Sequence, residues 1–259
     1  MLLVIDIGNT NTTVGIYNED ELVDFYRLSS REALTSDEAG MELYNICNMN
    51  DFKASKIDSA ALCSVAPDLT SAYDAAIRKY FKINPMILTH ETDISIAIDY
   101  DIPNQVGTDR LADAVAAYRK YGGPTIIVDL GTAITVDAVS GDGRYLGGAI
   151  APGIEASAAG LSIKASQLFK VPLKAPLRAL GKNTVESIQA GIIFGAVGQI
   201  DELVRRIGEE IGEPLKNVVA TGGLADLVYG ISSTIKTVDH SLTLDGLKMI
   251  YEDQNKLRR

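Results

Sequence analysis

The sequence predicts an α/β protein of two lobes, each a mixed sheet flanked by helices, and three observations lead there. The first is a repeat. Leu2 to Thr13 (LLVIDIGNTNTT) is an apolar strand that ends in a carboxylate and meets a glycine and a cluster of hydroxyl and amide side chains, and Thr125 to Val136 (TIIVDLGTAITV) does the same 123 residues later. Asp6 is matched by Asp129, Gly8 by Gly131 and Thr12 by Thr135. An offset near half the chain signals a duplicated lobe and not a solenoid, whose period is about 20 to 50 residues. The second observation is the order of elements, in which three strands are followed by alternating helices and strands, the layout of a mixed sheet with helices on it. The third is size: 259 residues with 46% apolar side chains supply two cores, one for each lobe of about 125 residues. We place the lobes at residues 1–122 and 123–259, divided in the Gly122-Gly123-Pro124 segment.

Leu2 to Ile5 are too few for a helix and are bounded by a turn, so they read as a buried strand. Gly8 and the asparagines tolerate positive φ, which lets the turn point several N–H groups at one spot suited to phosphate. A second strand runs from Thr12 to Tyr17 and a third from Glu21 to Leu28, joined by Asn18-Glu19-Asp20. Ser36, with Asp37 and Glu38 behind it, starts a helix to about Met49. Asp58 to Val65 is a strand, Pro67 opens a helix through Tyr80, and Pro85 to Leu88 is a short strand. From Glu91 to Gly107 there is no helical period, and a loop of that length in a compact protein is usually functional or mobile. Thr108 or Asp109 caps an alanine-rich helix to Tyr121.

The second half repeats the opening, with strands at Thr125 to Val128, Thr135 to Val139 and Tyr145 to Ile150. A helix from Gly153 to Leu161, an irregular stretch from Ser166 to Lys182 and a long helix from Thr184 to Ile211 follow. Ile188, Ile192, Gly195, Gln199, Leu203 and Arg206 step along that helix at helical spacing, while Gly191, Gly195 and Gly198 open it to close approach by another helix, within the chain or from a second copy. Asn217 to Thr221 is a strand ending in Thr221-Gly222-Gly223, with a short helix after it. Ser233 to Val238 is the last strand and Leu242 to Gln254 the last helix.

A formal net charge of −10 argues against nucleic acid or an anionic membrane as partner. Cys47 and Cys63 lack metal-ligand spacing and read as reduced core thiols. His90 and His240, the only histidines, leave little from which to build a zinc site or a Ser-His-Asp triad. Asp6 interrupts the apolar start too early for a signal peptide or a membrane span, so a cytoplasmic location is expected.

Asp6 and Asp129 sit at strand ends, where an unpaired charge is costly, so each needs a cation or several donors. For Asp6 the expected cation is magnesium carried on a bound phosphate ligand and reached through water; the plainer alternative is a carboxylate accepting N–H bonds in its own turn. Gly107-Thr108-Asp109-Arg110 is the best catalytic candidate. Phosphoryl transfer needs positioning, charge stabilisation and one base for the hydroxyl proton, and Asp109 supplies a base beside an arginine that can fork onto a carboxylate or phosphate. As a bland alternative, Asp109 only caps its helix.

The duplicated strand, Asp, glycine-turn unit, with Thr221-Gly222-Gly223 after a later strand, resembles the actin-like, hexokinase-like and Hsp70-like ATPase superfamily. That resemblance implies a duplicated ribonuclease H-like fold in which the two glycine turns hold the phosphates of ATP from opposite lobes and a later Gly-Gly turn, here Gly222-Gly223, meets the adenosine. DIGNTN, Tyr100, GTDR, DLGTAIT, YLGGAIAPG and Asn183-Thr184 together resemble the type III pantothenate kinases. This narrower resemblance implies ATP-dependent phosphorylation of pantothenate, the first step toward coenzyme A. It implies an ATP site of Asp6, Ile7, Gly8, Asn9, Thr10, Asn11, Thr12, Thr13 and Thr132, a proton acceptor at Asp109, and a pantothenate site of Tyr100, Gly107, Thr108, Asp109, Arg110 and Thr184. It further implies a potassium or ammonium ion at Asp129, and a homodimer in which Thr184 reaches pantothenate bound by the partner subunit. Two competitors remain: another small-molecule kinase of the superfamily, opposed by the GTDR segment and Tyr100, and a nucleotide-binding regulator, opposed by the intact Asp6, Asp109 and Asp129.

Overall fold

The computed structural model describes residues 1–49, 53–164 and 171–257. The apolar run at the start forms β1 (Leu2–Ile7), in which Leu3, Val4, Ile5 and Ile7 have no exposed surface. Burial on both faces is what a central strand with a near-continuous apolar sequence requires. The chain turns back as β2 (Asn11–Asn18) and again as β3 (Glu21–Ser29), both antiparallel to their predecessors. Next comes α1 (Ser36–Asn48), whose cap is Thr35 and not Ser36: the Thr35 hydroxyl accepts from the Glu38 N–H at 3.2 Å while the Glu38 carboxylate accepts from the Thr35 N–H at 2.9 Å. This reciprocal pair satisfies two otherwise open helix donors.

β4 (Ser59–Ser64) returns parallel to β1, and Pro67 opens α2 (Pro67–Ala76) at the position proline favours. One π-helical turn, Ile77–Phe81, extends α2 before Lys82 stops it in the left-handed region. β5 (Met86–Ile87) completes a sheet of order β3-β2-β1-β4-β5. Leu43, Ile46 and Cys47 of α1 and Tyr73 and Ile77 of the second helix cover the apolar side chains of β1 and β4 in one core.

The 91–107 stretch is less irregular than its sequence suggests. It contains β6 (Ala97–Ile98) and a single 3-10 turn at Pro103–Gln105, and leads into α3 (Thr108–Tyr121). The second sheet then repeats the first. β7 (Thr125–Leu130), β8 (Ala133–Val139) and β9 (Arg144–Pro152) form an antiparallel meander, followed by α4 (Ile154–Lys164) and α5 (Thr184–Ile211). The expected irregular stretch from Ser166 to Lys182 lies partly outside the described residues, and from Val171 on it carries no helix or strand. β10 (Asn217–Thr221) adds parallel to β7, α6 (Ala225–Tyr229) follows, and β11 (Thr237–Val238) adds parallel to β10. The order β9-β8-β7-β10-β11 reproduces that of the first sheet, with β6 added parallel to β9 at its edge. A strand expected over Ser233 to Val238 is shortened because Ser232, Ser233 and Thr234 turn their hydroxyls onto the Asp201 carboxylate of α5, at 2.6, 2.8 and 2.7 Å.

α5 begins at an Asn183 cap and ends at Gly212 in the left-handed region. Its buried stripe is Ile188, Ile193, Val197, Ile200 and Val204, rotated from the Ile192, Gln199 and Leu203 line that spacing alone suggests. Gly191, Gly195 and Gly198 lie on the exposed side, where an added Cβ meets no described atom within 4 Å.

The compact units do not follow the two halves of the sequence. The first comprises residues 1–95, 102–116 and the chain from Thr243 on, and the second residues 96–101 and 117–242. Most of α7 (Leu242–Leu257) therefore belongs with the first sheet: the Tyr17 hydroxyl donates to Asp245 at 2.5 Å, and the Lys248 ammonium to Asp20 at 2.8 Å. Gly246 sits so close to α3 that a Cβ there would lie 1.9 Å from the Ala112 carbonyl oxygen. Intrinsic helix propensity alone makes Gly246→Ala stabilising by about 1 kcal/mol; the contact predicts the reverse, a loss of about 1–3 kcal/mol from overpacking. Thermal melting of the variant decides between them, and a melting temperature at or above the parent's would refute the contact.

Candidate active site

The end of β1 places Asp6 between two strands, with Thr13 of β2 opposite it on one side and Cys63 of β4 on the other. Side chains at one level of a sheet share a face, and the Cys63 thiol donates to the Asp6 carboxylate at 3.3 Å. Burial raises the Asp6 pKa to about 7, the charge of Asp109 adds to the rise, and the thiol and Arg27 oppose it. Burial and the same two carboxylates push the Cys63 thiol well above its ordinary value, so it is a hydrogen-bond donor and not a nucleophile.

Beyond Asp6 the Gly8 N–H donates to the Asn11 carbonyl at 3.0 Å, a closure tight enough that a Cβ on Gly8 would lie 2.8 Å from that oxygen. Ser30 secures the turn from behind, donating to the Gly8 carbonyl at 2.7 Å and lying 3.0 Å from the Thr12 hydroxyl. Thr12 is fully buried, whereas Asn9 and Thr10 are exposed at the tip.

Asp109 reaches this site through the start of α3. The Thr108 hydroxyl does not cap the helix; it accepts from the Ser64 N–H at 3.2 Å and donates to the Ser64 carbonyl at 3.1 Å, tying α3 to the end of β4. The Asp109 carboxylate takes the Arg110 N–H at 2.8 Å, and Gly107 leaves it room, since a Cβ there would lie 2.3 Å from Asp109 Oδ1. Arg110 is buried. Asp6, Thr108, Asp109 and Cys63 thus converge in the first unit.

In the second unit Asp129 occupies the position of Asp6, with Thr135 of β8 and Thr221 of β10 opposite it. The strand pairing corrects the match of Thr12 with Thr135. Asp6 faces Thr13 and Asp129 faces Thr135, because the first turn, Gly8-Asn9-Thr10, is one residue longer than Gly131-Thr132. Gly222, at φ 87°, packs onto the same carboxylate, and a Cβ there would lie 2.4 Å from Asp129 Oδ1. Thr132 and Gly223 are exposed.

β6 positions Tyr100, whose ring lies 6.2 Å from that of Tyr145 and over Gly147, while the Tyr145 hydroxyl donates to the buried Asp137 at 2.7 Å. Thr184 is exposed in the first turn of α5, on an open depression of about 650 Å³ shared with Leu161, Asn183, Ser187 and Gly191.

Residues 2–206 match the sequence family described as type III pantothenate kinase. The chain belongs to that family. Proteins described as type III pantothenate kinases from Citrifermentans bemidjiense and Roseiflexus sp. strain RS-1 are 44% and 40% identical to it over 252 residues, covering 97% of this chain and 99% and 98% of theirs. A conserved Baf family protein of Campylobacter jejuni shares the fold, with a TM-score of 0.63 at 21% identity over 98% of this chain and 99% of that one. So does a ROK family glucokinase from Streptomyces griseus, with a TM-score of 0.51 at 13% identity over 96% and 99%. Both sheets and their helices accordingly have the architecture of the actin-like kinases. Membership in the pantothenate kinase family carries its activity, ATP-dependent phosphorylation of pantothenate in coenzyme A biosynthesis.

For this pantothenate kinase the sequence motifs located Asp6, Asp109 and Asp129 but not which side chains surround them. Cys63 and Thr221 lie level with the two aspartates on the strands parallel to theirs, a placement visible only once pairing is known. Ser30 follows β3 in an unremarkable Ser-Ser pair.

The raised Asp6 carboxyl has a consequence for stability. Below its ordinary value near 3.8 both folded and unfolded chains hold the proton; between there and about 7 the folded chain holds it and the unfolded chain does not. Its contribution to stability therefore falls as pH rises through that window, by up to about 1.4 kcal/mol per pH unit. Urea unfolding of the nucleotide-free protein at pH 5 and pH 8 is expected to show a smaller loss in Asp6→Asn than in the parent; equal losses would contradict the raised carboxyl.

Proposed function

We propose that Asp109 takes the proton from the primary hydroxyl of pantothenate while Asp6 and the turn that follows it hold the phosphate end of ATP. The observation that carries this reading is the convergence of two carboxylates at the end of β1 and the start of α3, one raising the proton affinity of the other. Such a pair is relieved by a cation, and its two oxygen-rich groups fit a hydrated divalent ion. ATP and its divalent metal supply the phosphoryl group and screen the charge that develops as it is transferred.

The chain's own residues then divide the work. Asp6, Ile7, Gly8, Asn9, Thr10, Asn11, Thr12 and Thr13 form the ATP site in the first unit, and Thr132, Gly222 and Gly223 in the second. Tyr100, Gly107, Thr108, Arg110 and Thr184 bind pantothenate, with Arg110 offering a planar fork to its carboxylate. Thr108 holds Asp109 in place through its two bonds to Ser64, and fixed placement is most of what phosphoryl transfer asks of a protein. Asp129 holds a potassium or ammonium ion.

The protein works as a homodimer, with Thr184 serving pantothenate on the partner subunit. This is supported by the exposure of Thr184 and by the open glycine face of the same helix. Residues 1–122 and 123–259 are the two copies of the duplicated unit, the last helix having settled on the first copy. The site of action is the cytoplasm; no helix among the described residues is long and apolar enough to cross a membrane.

Loss of a positioned base costs about 10²–10⁴ in rate. Asp109→Asn is therefore expected to form phosphopantothenate at least about 100-fold more slowly by mass spectrometry while still binding ATP, and a rate within tenfold of the parent's would remove Asp109 from the chemistry. Gly195 is exposed and a Cβ added there meets no described atom within 4 Å, so Gly195→Glu should leave the far-ultraviolet spectrum unchanged yet shift sedimentation from dimer to monomer. A variant that sediments with the parent would place the dimer contact elsewhere.

A further inference from the structure

We infer that the Thr135 hydroxyl is an oxygen ligand of the monovalent cation at Asp129, joined at the same level of the sheet by Thr221. The inference rests on the reading that Asp129 holds such an ion. Asp129 lies at one level of three adjacent strands, with Thr135 on antiparallel β8 and Thr221 on parallel β10, so all three side chains share one face. Thr135 Oγ1 is buried and has no hydrogen-bond partner among the described residues. A buried hydroxyl left without a partner is costly, and such groups in native structures commonly mark an ion or water.

The first unit provides an internal control. At the same level Asp6 is flanked by Thr13 and Cys63, and the thiol donates to the carboxylate. In the second unit threonine replaces that cysteine, exchanging a soft sulfur for a hard oxygen. Gly222 keeps the approach to Asp129 open where any Cβ would collide with the carboxylate. Among the described residues no cluster of three His, Cys, Asp or Glu side chains could hold a metal. The donors here are one carboxylate and neutral hydroxyls, a low-charge oxygen set that suits a large, weakly hydrated monovalent ion better than magnesium.

The test is thermal melting of the full chain with Mg²⁺ and a non-hydrolysable ATP analogue, titrating KCl against choline chloride at constant ionic strength. The parent's melting temperature should rise saturably with potassium. Thr135→Val should need at least about tenfold more KCl for half of that rise, while Thr135→Ser stays within about threefold of the parent. In choline alone Thr135→Val should melt no lower than the parent, because the hydroxyl it removes had no partner; Thr135→Ala serves as the second hydroxyl-free variant. A Thr135→Val or Thr135→Ala titration that overlays the parent's overturns this inference and leaves Asp129 its ion. A parent indifferent to potassium overturns the cation reading of Asp129 and this inference with it.

Discussion

A carboxylate at the end of a central, fully covered strand is the constraint on which the rest of the structure depends. β1 is buried on both faces and paired on both edges, so the chain can present Asp6 only where the sheet ends. The groups around it must either donate to it or leave it in need of a cation, and the structure shows one of each: the Cys63 thiol donates, and the charge of Asp109 makes its ionisation harder. A site that penalises its own charge until a cation arrives is well suited to binding metal-bound nucleotide, since the ligand relieves a cost the folded chain already bears.

The duplicated unit sets the same aspartate in two different surroundings. Both sheets have the same strand order and the same aspartate at the same strand end. Small changes around that carboxylate separate them: a three-residue turn against a two-residue turn, Cys63 against Thr221, and an approaching α3 with Asp109 in the first unit against a glycine packed on the carboxylate in the second. Asp109 belongs to neither copy of the motif. It is delivered by a helix whose first residue is bolted to the end of β4, so the proposed base and the turn after Asp6 are fixed at the same end of the sheet.

Much of this was legible in the sequence because its signals are local. Apolar runs ending in aspartate, the glycines after them, Pro67 opening a helix and the bounds of α5 follow from residue type and spacing. What escaped depends on pairing across the chain. β6 is two residues long and exists because Ala97 and Ile98 find the edge of β9, and the strand expected at Ser233 is cut short by a distant Asp201. Thr35 displaced Ser36 as cap because only Thr35 has Glu38 three residues on. The register of the two turns differs by one residue, which alignment at a fixed offset hides; Thr135 therefore stood in for Thr12 in the sequence and for Thr13 in the sheet. The roles of Cys63 and Thr221 were hidden for the same reason.

The central claim is that the two equivalent aspartates have parted company, Asp6 serving the divalent metal of ATP and Asp129 a monovalent ion. Anomalous diffraction from crystals of the protein grown with an ATP analogue, with Mn²⁺ in place of magnesium and Tl⁺ in place of potassium, tests it most directly. The account predicts a manganese peak beside Asp6 and a thallium peak beside Asp129; thallium beside Asp6, or manganese at both carboxylates, would contradict it.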